Sequence, residues 1–81
     1  VINENGFDII LYPNPTSEYI NIESNISPQR VWLSEASGRM ISLEPRNNRV
    51  RVPDRLPSGF YVMTLEIDGS LVQKKVIIDR R

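Results

Sequence analysis

The chain has 81 residues, ten Lys and Arg against ten Asp and Glu, 40% hydrophobic residues, and neither His nor Cys. That is room for one small domain, burying roughly 60–65% of the surface its unfolded chain would expose. It leaves no imidazole base, no thiolate nucleophile, no disulfide and no zinc site of the usual nitrogen or sulfur kind, which excludes most hydrolase and metalloenzyme chemistry and gives no reason to expect a cofactor.

Residues 1–7 begin without Met and show no basic stretch followed by an apolar one, so they are not a signal peptide. They read as a linker or the start of a first strand at a boundary cut from a longer protein, with a single domain expected over residues 8–81. From there apolar residues recur at every second position, and no window of eleven holds a helical stripe. A first strand over residues 8–12 is closed by Pro13-Asn14-Pro15-Thr16-Ser17, where two prolines remove backbone donors and Asn14 suits a turn. Residues 18–23 set Ile20 and Ile22 on one face and Tyr19, Asn21 and Glu23 on the other. Residues 30–36 oppose Val31 and Leu33 to Trp32; Ser37-Gly38 reverses the chain, because glycine takes the positive φ a hairpin needs, and residues 39–44 return. Residues 45–48 break the pattern, and residues 49–52 alternate Arg49 and Arg51 with Val50 and Val52. Leu56-Pro57-Ser58-Gly59 reads as a turn into the longest run, residues 60–67, with Tyr61, Met63, Leu65 and Ile67 on one face. Asp68-Gly69 is the strongest hairpin signal, and residues 70–79 form the last strand.

Short strands at regular spacing predict an all-β fold, an immunoglobulin-like antiparallel β-sandwich of about seven strands, since a single open sheet would leave one apolar face wet. The expected core is Ile20, Ile22, Val31, Leu33, Ile41, Val50, Val52, Tyr61, Met63, Leu65, Val76 and Ile78. Charge is divided along the chain: residues 1–29 hold four acids and no base, residues 30–81 ten bases and six acids. The densest basic stretch, Arg46, Arg49, Arg51 and Arg55 with Asp54, reads as a solvated edge or outer face. A nucleic-acid reader needs a basic excess and stacking aromatics, so no nucleic acid is expected as partner. The longest apolar run, near residues 60–65, is far short of the ~20 residues of a membrane helix, so no direct span is expected.

Three patterns in order carry more. Leu11-Tyr12-Pro13-Asn14-Pro15, Leu56-Pro57-Ser58-Gly59-Phe60-Tyr61 and Lys74-Lys75-Val76-Ile77-Ile78 stand beside Tyr19-Ile20-Asn21-Ile22, the hairpin Glu35-Ala36-Ser37-Gly38-Arg39-Met40 and a short basic terminus. In this set the chain, from about Ile9 to Arg81, resembles the C-terminal sorting domain of proteins exported by the type IX (Por) secretion system of Bacteroidetes. The resemblance implies an address rather than a catalyst. It implies a covalently joined upstream cargo, itself an enzyme or a surface protein, and as partners the type IX translocon and cell-surface sortase components. It implies passage through the periplasm to the outer-membrane surface or the extracellular space, with removal of the domain by the sortase in many members and retention in some. The residues it singles out for recognition are Pro13, Asn14, Pro15, Gly38, Leu56, Gly59, Tyr61, Lys74, Lys75, Val76 and Ile78.

The same residues have blander duties. Pro13-Asn14-Pro15 is a rigid strand-ending turn; Pro57 presets φ, Gly59 frees the backbone, and Leu56 and Tyr61 plug the core. Lys74 and Lys75 are neighbours on a strand, so one faces inward unless the strand is an edge, where a lysine guards against edge-to-edge aggregation. A free-ended last strand can also take a strand from a partner or swap into a second copy as a homodimer. The alternative function is an immunoglobulin- or fibronectin-like accessory module that spaces domains or binds carbohydrate through outward Trp32, Tyr19 and Phe60. Catalysis is the weakest reading, because the acids are scattered singly and a glycosidase needs two carboxylates held ~5–9.5 Å apart in a cleft.

Overall fold

A strand that alternates apolar and polar residues has one face that must leave water. The computed structural model describes residues 8–80, and the expectation for residues 1–7 lies outside them. It meets the requirement with two packed sheets. In chain order the strands are β1 (Ile9–Tyr12), β2 (Tyr19–Ser24), β3 (Arg30–Ser34), β4 (Met40–Leu43), β5 (Arg49–Arg51), β6 (Gly59–Ile67) and β7 (Ser70–Ile78). One sheet runs β1-β2-β5, the other β4-β3-β6-β7, and every strand pairing is antiparallel. The fold is an immunoglobulin-like β-sandwich in which β4 pairs with β3 instead of joining the sheet of the first, second and fifth strands, as it does in the constant-type arrangement. The tight Glu35–Arg39 reversal, with Gly38 at φ +93°, leaves β4 no length to cross over.

Both sheets feed one buried cluster. Ile9, Ile20, Ile22, Val50 and Val52 meet Val31, Leu33, Leu43, Tyr61, Met63, Leu65, Ile67, Val72, Val76 and Ile78. All but one of the expected core residues are buried. Ile41 is half-buried and packs against the cluster from its rim. Ile9, Leu43 and Val72 are buried beyond expectation: Leu43 pairs with Val31 and Val72 with Leu65, both deep in the cluster, so their burial follows from register.

Two reversals share one chemistry. Asp68 and Gly69 both have positive φ, the two-residue turn whose twist suits a hairpin. Asn47 and Asn48, in a segment expected merely to break the pattern, do the same at φ 53° and 59°, closed by mutual bonds between Arg46 and Arg49 of 2.8 and 3.1 Å. Gly59 is the first residue of β6, not a turn residue as expected. The basic stretch is the solvated edge that was anticipated: β5 ends its sheet, Arg51 pairs with Asp54, Arg46 with Glu44, and Arg49 lies 4.4 Å from the centre of the Tyr19 ring.

Antiparallel pairing sorts the connections. The β1–β2, β3–β4 and β5–β6 connections and the end of β7 gather at one end of the sandwich; the β2–β3, β4–β5 and β6–β7 connections lie at the other.

Candidate functional site

The first of the two ends brings together segments far apart in sequence. The loop after β1, in which the Tyr12–Pro13 and Asn14–Pro15 bonds are both cis, lies along the edge of β7. The Ile77 N–H donates to Asn14 Oδ1 at 2.9 Å, the Thr16 N–H donates to the Ile77 carbonyl at 2.9 Å, and the Asp79 N–H donates to the Thr16 carbonyl at 2.8 Å. A proline supplies no donor, so residues 13–15 press on the strand through the Asn14 side chain while Thr16 supplies the main-chain pairing. Thr16 is buried, and its hydroxyl donates to the Tyr19 carbonyl.

The last strand is an edge, and this cover pairs its free end. By the alternation of an antiparallel ladder, the main chain of Gln73 and Lys75 faces the same way as that of Ile77, and the bonds from residues 14–16 go to Ile77 and Asp79.

Arg80 draws in the β5–β6 loop. Its Nε donates to the Leu56 carbonyl at 3.1 Å, Nη2 to the Pro53 carbonyl at 2.6 Å and Nη1 to the Ser17 carbonyl, while its own N–H donates to Ser58 Oγ at 2.7 Å. The planar fork of a guanidinium reaches three acceptors at once; an ammonium does not. Within the loop, Tyr61 is buried and its Oη donates to the Pro57 carbonyl at 2.7 Å, the corner contact expected at the start of the sixth strand of such a sandwich. The Tyr61 phenol is pushed above its ordinary value by burial first and by the Glu35 carboxylate second, with the Arg80 guanidinium pulling the other way.

A pH dependence follows. With its folded value above the unfolded one of about 10, Tyr61 contributes stability that is complete below pH 10 and lost as pH rises through the folded value. Tyr61→Phe leaves the Pro57 carbonyl without its donor and is expected to cost about 1 kcal/mol at neutral pH. Melting curves from pH 8 upward should converge for the two proteins above about pH 10, because only the parent loses the phenol's contribution there.

The residues singled out from sequence fall into two groups. Pro13, Asn14, Pro15, Leu56, Gly59, Tyr61, Val76 and Ile78 converge at this end, Leu56, Tyr61, Val76 and Ile78 from within the core. Gly38 lies in the β3–β4 turn at the same end, exposed, its added Cβ meeting nothing within 4 Å. Lys74 and Lys75 sit farther back on β7: Lys74 shares the inward face with Val72 and Val76 and is half-buried, and Lys75 points outward with Nζ 4.5 Å from the centre of the Phe60 ring. Sequence reasoning passed over Thr16, Ser58 and Arg80, whose partners lie 22 to 63 residues away for the bonds of Arg80.

Tyr19 lies on the outer face of the small sheet, Trp32 and Phe60 on that of the large one, so the three aromatics make no common platform for a sugar. Among the described residues, no three carboxylates gather where they would hold a metal ion. Among the described residues, the arrangement presents shape and main-chain edge, with the Arg80 fork bound to three loop carbonyls. The sequence model of one protein family, described as the secretion system C-terminal sorting domain, matches residues 10–79. No match is found among curated proteins.

Proposed function

This chain belongs to the secretion system C-terminal sorting domains, and from that premise we propose that the end of the sandwich where its three motifs meet is the surface by which the secretion apparatus reads it. The domain is a non-catalytic signal for the type IX system and directs the protein that carries it toward the cell surface or the extracellular space. On our reading residues 8–81 are one sorting domain joined to an upstream cargo, an enzyme or surface protein. The translocon binds it during passage from the periplasm across the outer membrane. A cell-surface sortase then removes it and attaches the cargo.

The observation that carries this reading is convergence. Residues 13–16, 53–61 and 76–80 are separate in sequence, yet Asn14, Thr16 and Arg80 tie them into one surface by hydrogen bonds. On β7, pairing with a second copy, as a strand-swapped dimer or by strand addition, would use the stretch around Gln73 and Lys75, since residues 14–16 hold Ile77 and Asp79.

The test compares the two ends with one kind of substitution. Ser17→Trp and Ser37→Trp load the motif end at exposed positions, and Ser27→Trp loads the opposite end. In a bacterium with the type IX system, with the domain fused to a reporter, the first two are expected to lower surface delivery about tenfold, the loss of one well-placed contact, and the third to leave it unchanged. Equal losses at both ends, or none at the motif end, would refute the assignment.

A further inference from the structure

The chain enters the sandwich at the end opposite its motif surface. β1 runs toward the β1–β2 connection, so Asp8 and Ile9 lie at the other end, about 16 Å of strand from Pro13 at ~3.3 Å per residue. Ile9 pairs with Ser24, which sets the arriving chain beside the start of the β2–β3 loop.

Two features make that place accessible and firm. β1 is a sheet edge, with β2 on one side alone. The Ile22 N–H donates to the Asn48 carbonyl, so by alternation Asn21 and Glu23 face β1, their partners Tyr12 and Ile10 face back, and the main chain of Ile9 turns outward. The β2–β3 loop is fastened at both ends. Ser24 Oγ donates to the Ile26 carbonyl at 2.6 Å and accepts from the Ile26 N–H at 3.3 Å, and the Gln29 N–H donates to the Glu66 carbonyl of the other sheet at 2.8 Å. Asn25, Ile26 and Ser27 stand exposed on this shelf.

Resting on the reading that the motif end faces the secretion apparatus and that the domain is later removed, we infer that the shelf of residues 25–27 is the footing of the endopeptidase that separates domain from cargo. The molecule is then held at one end and cut at the other. The peptidase takes the chain upstream of Asp8 as an extended strand, the form in which main-chain pairing seats a peptide. One peptide bond breaks; the cargo's acyl group passes to water or to an acceptor amine, whose proton goes to the amino group with which the domain leaves. Neither contact covers the other, because the two ends face opposite ways.

The experiment follows a cargo fusion by pulse labelling in a bacterium with the type IX system. It reads arrival, as protease accessibility on intact cells, and removal, as loss of the domain's mass from the cargo. Ile26→Glu and Ser27→Trp alter exposed side chains, should leave the melting temperature unchanged, and are expected to arrive like the parent but to lose the domain about tenfold more slowly. Ser17→Trp is expected to arrive about tenfold less, with its arrivals cut at the parent's rate. Removal at the parent's rate in both Ile26→Glu and Ser27→Trp overturns the inference, as does equal slowing of removal in Ser17→Trp, or a parent that reaches the surface uncut. In each of these cases arrival that still depends on Ser17 leaves the motif-end reading standing. Arrival of Ser17→Trp at the parent's level overturns that reading, whatever the rates of removal.

Discussion

Leu33→Asp is expected to abolish surface delivery although it alters no residue of the three motifs. Leu33 lies in β3 with no exposed surface, paired with Met63 on one side and Ile41 on the other. An aspartate there is an unpaired charge in an apolar interior, costing several kcal/mol. A domain of this size has about 5–10 kcal/mol to lose, so the variant should be largely unfolded or should melt far below the parent. The motif segments then remain in the chain but not together. Circular dichroism establishes the loss of fold, and protease accessibility of a reporter on intact cells establishes the loss of delivery. Normal delivery by an unfolded Leu33→Asp protein would mean that the apparatus reads a linear tail, and the convergent surface would lose its standing.

Arg80→Ala is expected to lower stability by about 2–4 kcal/mol, since it deletes three charge-assisted bonds to loop carbonyls, some of which are shielded from water. For a domain of about 80 residues that corresponds to a fall in melting temperature of roughly 10–20 °C. Arg80→Lys keeps the charge but offers a point donor in place of a fork, and is expected to recover less than half of the loss. Delivery should follow the same ranking at growth temperature, because the β5–β6 loop keeps only the Ser58 tie to the end of β7 and the β1–β2 loop only those of Asn14 and Thr16. A melting temperature unchanged in Arg80→Ala would show that the three carbonyls are equally well served by water.

Much of the fold is visible in residues that are close neighbours. Alternation places Ile20 and Ile22, Val31 and Leu33, and Met63 and Leu65 inward because a pleat has period two, and Asp68-Gly69 and Gly38 mark reversals because their φ values are positive. Depth is less visible: Ile41 and Leu43 have the same parity on the same strand, yet only Leu43 is buried, since burial depends on what the facing sheet places there. The candidate surface was half visible. Its segments stood out as motifs, but Arg80 gives no local sign of its role, because its acceptors are main-chain carbonyls that any residue type would offer.

The fastening of Asn14 and Thr16 to Ile77 and Asp79 joins the opening loop to the closing strand. A polypeptide interrupted after residue 16 and before residue 77 keeps only one half of that joint, however well its earlier strands pair. On the proposed reading the surface therefore needs residues 77–80, because Ile77, Asp79 and Arg80 supply the bonds that draw its loops together. A copy clipped before residue 77 would carry the same early motifs without the joint that fastens them to the closing strand.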